Sequence, residues 1–217
     1  MPSYAGRSAE DWLNVYHNRS GSTSAVAAFD AFRQMGTNGV AFLVESLGRG
    51  DNVWSQRVYP SIFRHVPMVV AERLPEPGYP DALASTAQMV LAELTVEKRD
   101  STPERTFTRL VKLLELRDDL RREWVAAVVG QYANTYPQLD LAPFRAELAR
   151  ALNDDYPGVR FLIADASPIA KLLGPALVES SLKPYLTNSE PGLRNAAQEF
   201  LFPAGVTNVA VDRTNAP

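Results

Sequence analysis

Residues 25–50, AVAAFDAFRQMGTNGVAFLVESLGRG, decide the fold. Ala25, Ala28, Phe29 and Phe32 fall at i, i+3, i+4 and i+7. After a break at Gly36-Thr37-Asn38-Gly39, the residues Val40, Leu43, Val44 and Leu47 repeat that spacing. Each set lines one face of an α-helix. Neither helix is long enough to be stable alone in water, so both must bury their stripes on each other and on whatever follows. The break predicts a tight turn.

Reading outward, the same unit recurs. Ser8, with Asp11 three residues on, has the spacing of a capping box and opens a helix carrying Trp12, Leu13, Val15 and Tyr16. Arg19 to Ser24 is a polar connector. Beyond residue 50, Val53, Trp54, Val58 and Ile62 predict a helix that Pro60 kinks, and Pro67 restarts a helix over 68–74. Three Pro and one Gly within 75–80 mark a possible seam. Asp81 is expected to cap the next helix, with the stripe Leu83, Ala87, Val90, Leu91 and Leu94. Asp100-Ser101-Thr102-Pro103-Glu104 is a strong helix start, followed by Phe107, Leu110, Val111 and Leu114. Leu120, Trp124, Val125, Val128, Val129 and Tyr132 make another stripe, and Leu141, Phe144, Leu148 and Leu152 one more. Helices are expected to open at Pro157, Pro175 and Pro191, with Pro168 ending or bending one of them. Alternation at Val206, Val209 and Val211 is too short for a strand, and 206–217 reads as a tail. The pattern is about eleven or twelve helices joined by short polar links.

Composition narrows the class. Of 217 residues 46% are hydrophobic, which suits a folded chain. Cys is absent, so thiolate chemistry and disulfides are excluded. The formal charge of −3, from 22 basic and 25 acidic residues, weighs against a nucleic-acid partner. The most charged stretch, 93–123, holds 8 Lys/Arg and 8 Asp/Glu and reads as a mixed solvated face. No apolar run reaches the ~20 residues of a membrane span, and the start lacks the features of a signal peptide, so the chain is expected to be soluble and cytoplasmic.

Helix starts align. Asp119-Leu120-Arg121, Gly158-Val159-Arg160 and Gly192-Leu193-Arg194 are each followed by small and apolar residues, with the Arg positions 39 and 34 apart. Arg57 is a weaker earlier instance. An apolar–Arg pair at a helix start, at this period, resembles a HEAT repeat. Trp12-Leu13, the Ala-rich helix and the run from Met35 to Leu43 resemble the opening of bacterial HEAT-like repeat proteins. The resemblance implies an all-α fold: a right-handed α-α superhelix, a HEAT-like solenoid of about five to six helix pairs over residues 1–205. Each Arg is expected to bond a carboxylate or a free helix-end carbonyl of a neighbour, with Asp118 or Asp119, Asp154 or Asp155, and Glu190 as partners.

Motifs for chemistry are missing. Gly48-Arg49-Gly50 follows a helix and lacks the third Gly of a dinucleotide fingerprint. His17 and His65 stand 48 apart with no metal-ligand spacing. The run Asn153 to Gly158 departs from a calcium loop, having Pro157 where a ligand belongs, and reads as a helix cap. Trp54 and Trp124 are expected in the core, Trp12 at the end of the stack. No catalytic, cofactor or metal residues are assigned. The resemblance implies instead a protein partner on a concave face lined by the helices at 40–47, 68–74, 106–115, 142–151 and 176–186. Its polar positions are Glu45, Glu72, Arg109, Lys112, Glu115, Glu147, Arg150 and Lys183. The alternatives are a HEAT-like DNA glycosylase, which needs a basic groove, a carboxylate and a stacking Trp, or an accessory subunit of a modifying enzyme.

Overall fold

A computed structural model describes residues 1–18, 22–49, Phe63 and 79–203. The expectations for Trp54, Arg57, Pro60, His65, Glu72, residues 75–78 of the seam and the tail 206–217 lie outside these residues. Within them the chain is all-α apart from one minimal hairpin: β1 (Ser3–Tyr4) pairs antiparallel with β2 (Arg7–Ser8). No alternation announces it. Ala5 and Gly6 both take positive φ, 50° and 76°, the geometry that suits a two-residue hairpin turn. Trp12 Nε1 donates to Tyr4 O at 3.0 Å and fastens the hairpin to the first helix.

Eleven α-helices are described. They are α1 (Ala9–Asn18), α2 (Thr23–Met35), α3 (Thr37–Gly48), α4 (Tyr79–Val96), α5 (Pro103–Leu113) and α6 (Asp119–Thr135), then α7 (Arg145–Leu152), α8 (Pro157–Asp165), α9 (Ser167–Leu173), α10 (Pro175–Leu182) and α11 (Pro191–Leu201). Short 3-10 segments, Ala142–Phe144 and Lys183–Thr187, precede α7 and follow α10. No helix among the described residues is long and apolar enough to cross a membrane.

The starts follow from local chemistry. At α1 the capping box is complete: Asp11 N donates to Ser8 Oγ at 3.1 Å and Ser8 N to Asp11 Oδ2 at 3.1 Å. The Ser8 hydroxyl bond, the largest cause, holds the Asp11 carboxyl below its ordinary range. Proline occupies the first turn of α5, α8, α9, α10 and α11, where its missing N–H costs nothing. Pro168 stands in the first turn of α9, just beyond the end of α8 at Asp165, so one helix ends and the next begins there. The turn between α2 and α3 is shorter than expected. Gly36 alone, at φ 54° and ψ −133°, reverses the chain, and Thr37, Asn38 and Gly39 already belong to α3.

Packing proceeds by neighbours. α1 lies on α2 and α4; α3 lies on α2, α4, α5 and α6. α6 meets α4, α5, α8 and α9, and α8 meets α6, α7, α9 and α10. α5 touches α7, α7 touches α9, and α11 lies on α10 and the 3-10 turn after it. One continuous apolar core runs through these contacts from Ala9 and Leu13 to Leu182 and Ala197, with Phe32, Leu43, Phe107 and Leu148 wholly buried. Polar ties join the rest. His17 Nδ1 sits 2.9 Å from Thr86 Oγ1, Tyr16 OH donates to Glu93, and Arg33 of α2 grips Glu97 just past α4. Trp124 is only partly buried and stands outside the core, contrary to expectation.

The aligned arginines need a different register. Counted from the N-cap residues Asp118, Tyr156 and Glu190, the fourth helical position holds Arg122, Arg160 and Arg194. All three donate to the carbonyl six residues back: Arg122 to Leu116 O, Arg160 to Asp154 O, and Arg194 to Asn188 O. Arg122 and Arg160 also reach the next pair. Arg122 binds Asp154 through Nε and Nη2, both at 2.8 Å, and Arg160 approaches Ser181 O at 3.4 Å with its guanidinium over the Tyr185 ring. Of the carboxylates expected as rungs, Asp154 is one; the place foreseen for Glu190 is taken by a carbonyl and a ring. The same Asp154 accepts from Tyr156 N, so this stretch is a clasped helix start. Gly158 fits because a β-carbon there would run into the Glu123 carboxylate. Arg122 and Asp154 are both 12% exposed, so their bidentate pair has little water to compete with it. We expect Arg122→Ala to cost about 2–3 kcal/mol, Arg160→Ala somewhat less and Arg194→Ala about 1 kcal/mol in chemical denaturation. Unchanged melting in both Arg160→Ala and Arg194→Ala would rule the clasps out.

Arg121 then falls on the third helical position, where the other two helices carry Val159 and Leu193. It is 1% exposed, while its neighbour Leu120, expected inside, is 46% exposed. Its guanidinium donates twice to Asp81 Oδ1, at 3.0 and 2.6 Å, and to the carbonyls of Leu47 and Arg49 at the end of α3. Asp81 lies in the first turn of α4 as the arginine's partner, inside the helix it was expected to cap.

A second buried polar cluster fixes the α4–α5 link to α6. Asp100 accepts from Thr102 N at 2.8 Å and from Tyr132 OH at 3.1 Å, and its own N–H points at Tyr136 OH at 3.4 Å. Thr102, not Asp100, is the N-cap residue of α5.

Candidate interaction face

Six of the eight polar positions assigned to a binding face sit on α3, α5 and α7 or just beyond α5. These helices touch in that order. Glu45 of α3, Arg109 and Lys112 of α5, Glu115 after it and Arg150 of α7 are exposed, and Glu147 is half-buried. The strong amphipathy of α5 produces its part. Phe107, Leu110, Val111 and Leu114 turn inward, which leaves Arg105, Arg109 and Lys112 outward. Arg150 Nη2 meets Glu115 Oε1 at 3.0 Å across the α5–α7 step and Glu147 Oε1 at 3.9 Å within its own helix. Glu147 Oε2 is buried without a hydrogen-bond partner. Lys183 is exposed but separate: it lines a groove with Val178, Leu186 and Phe202 at the far end of the chain. Glu72 lies outside the described residues.

The structure brings Glu45 and Arg109 together at one cleft of about 670 Å³ beside α3. Asn38, Ala41, Phe42 and Arg49 line it too. Arg49 was missed, although the i, i+4 pair Glu45–Arg49 was visible on one helix face. Its Nη2 is 3.8 Å from Glu45, its Nη1 is 3.2 Å from Glu10 Oε2, and its guanidinium lies 4.8 Å from the Phe42 ring centre. The carbonyl of Arg49 accepts from buried Arg121. One edge of the cleft is therefore anchored by a buried arginine. The arrangement pairs two planar cations with an apolar floor and one displaceable carboxylate, which equips it to hold acidic side chains. Comparison of the chain with protein-family models, with curated proteins and with solved structures found no match in any of the three.

Proposed function

We propose that the chain is a HEAT-like repeat protein, a right-handed superhelix of helix pairs, that serves as a non-enzymatic scaffold for a protein partner. The observation that carries this reading is the repeated clasp: Arg122 and Arg160, at one helical position, each tie their own turn to the next pair. A stack of units held neighbour to neighbour is how helical-repeat proteins build long binding surfaces. Its partner surface is the mixed-charge face of α3, α5 and α7, with Glu45, Arg109, Lys112, Glu115, Glu147 and Arg150. Interspersed signs on a face of this kind select a partner through charge complementarity.

Affinity capture tests the proposal. Proteins retained by the wild type are expected to be lost on Arg109→Glu with Lys112→Glu, and kept when Glu199 of α11 is reversed to Lys. Identical partner sets for all three proteins would reject this face. A shift of duplex DNA at low salt that disappears with the Arg109 and Lys112 reversals would point to the glycosylase-type reading instead.

A further inference from the structure

We infer that the cleft between α3 and α5 is a carboxylate-binding site that takes an acidic side chain of an extended peptide segment, with Arg49 and Arg109 as its cations. The inference rests on the scaffold reading for the identity of its occupant, but not for its chemistry. At about 670 Å³ the cleft has room for a side chain and its flanking backbone.

Arg49 is held in place before any ligand arrives. Glu10 takes Nη1, Phe42 lies beneath the guanidinium, and Arg121 pins the backbone carbonyl. Little ordering is then left for binding to impose, which favours affinity. Its contact with Glu45 is different. At 3.8 Å it exceeds a hydrogen bond, and the Glu45 side chain is 71% exposed. Glu45 therefore behaves as a loosely held occupant that an incoming carboxylate can replace. Arg109 completes the site. Among the described residues its guanidinium makes no ion pair or hydrogen bond, whereas Arg33, Arg121, Arg122 and Arg150 are each matched to a carboxylate.

The lining also selects the class of anion. A guanidinium presents paired N–H groups that match a carboxylate edge to edge. Phosphate would fit two arginines as well, but Glu45 on the same wall penalises a doubly charged group more than a singly charged one. The apolar Phe42 floor and the Asn38 amide, which both donates and accepts, suit a peptide chain. The net charge of −3 disfavours a polyanion such as nucleic acid.

The test is fluorescence polarisation with a labelled, acetylated peptide of Glu-Glu-Gly repeats and its Gln-Gln-Gly counterpart. The Glu peptide is expected to bind at least about tenfold more tightly than the Gln peptide. Arg109→Gln should weaken the Glu peptide about tenfold, while Lys171→Gln, which removes the same charge from α9, should leave it unchanged. Glu45→Gln should tighten binding a few-fold by removing the internal competitor, an effect that a purely structural Glu45 would not produce. Equal loss in Arg109→Gln and Lys171→Gln, or equal binding of the two peptides, would overturn the inference. So would inorganic phosphate displacing the Glu peptide at lower concentration than free glutamate. If the peptide binds as described but the capture experiment fails, the site stands and the scaffold reading falls. If capture succeeds while the peptide is ignored, the reverse holds.

Discussion

Arg121→Ala is expected to lower the free energy of unfolding by about 4–5 kcal/mol, measured by urea denaturation at neutral pH. Two costs combine. The substitution empties the space of one of the largest fully buried side chains in the described structure. It also takes the Arg121 donor away from the carbonyls of Leu47 and Arg49. Stranding a buried charge is not among the costs, because Asp81 is 58% exposed and returns to water. That separation makes Arg121→Met informative. Methionine refills much of the volume, as Val159 and Leu193 fill the same place in α8 and α11, yet supplies no donor. About half the loss should be recovered. A loss below about 1 kcal/mol for Arg121→Ala would mean that the arginine is not holding the end of α3.

Asp100→Ala is expected to cost about 3–4 kcal/mol, because it removes the acceptor of the buried Tyr132 OH and of the half-buried Thr102 N–H. Asp100→Asn keeps an acceptor for Thr102 and should cost about 1 kcal/mol. The same cluster gives a pH dependence. Burial, and after it the charge of Asp100, pushes the Tyr132 phenol well above its ordinary value of 10.0. In the unfolded chain that phenol ionises above about pH 10, whereas in the folded chain it keeps its proton. The stabilisation from holding it neutral is thus complete below pH 10 and is lost as pH rises, at about 1.4 kcal/mol per pH unit. Tyr132→Phe should reduce the loss of stability between pH 9 and 11 by about 1.4 kcal/mol in all, as read from urea denaturation at the two pH values. An unchanged slope would contradict the burial of this phenol beside Asp100.

How much of this was legible depended on range along the chain. Helix starts marked by Ser8 and Asp11, or by Pro103, Pro157, Pro175 and Pro191, could be read directly, because a cap acts within four residues. The helical faces followed from spacing. The arginine register did not. Matching Leu120-Arg121 to Val159-Arg160 aligned letters, whereas the helix counts from its N-cap and sets Arg122 beside Arg160. With two adjacent arginines, nothing local says which turns inward. The decision comes from carbonyls at Leu47 and Arg49, some 70 residues away along the chain. The run from Asp100 to Glu104 likewise reads as a helix start because its signals are local, while Tyr132, which Asp100 binds, lies 32 residues further on. For the candidate site, exposure of Glu45 and Arg109 followed from helix faces. Their meeting at one cleft required the packing of α3 on α5.

On the reading proposed above, these helices form a stack held neighbour to neighbour by arginine clasps. Native-state hydrogen exchange, resolved helix by helix in wild type and Arg122→Ala, tests it most directly. A stack predicts graded protection, highest in α4, α6 and α8 and lowest in α11, with the substitution loosening α6 to α8 and leaving α1 and α2 as they were. Equal loss of protection in every helix, α1 and α2 included, would show a single cooperative core and contradict the account.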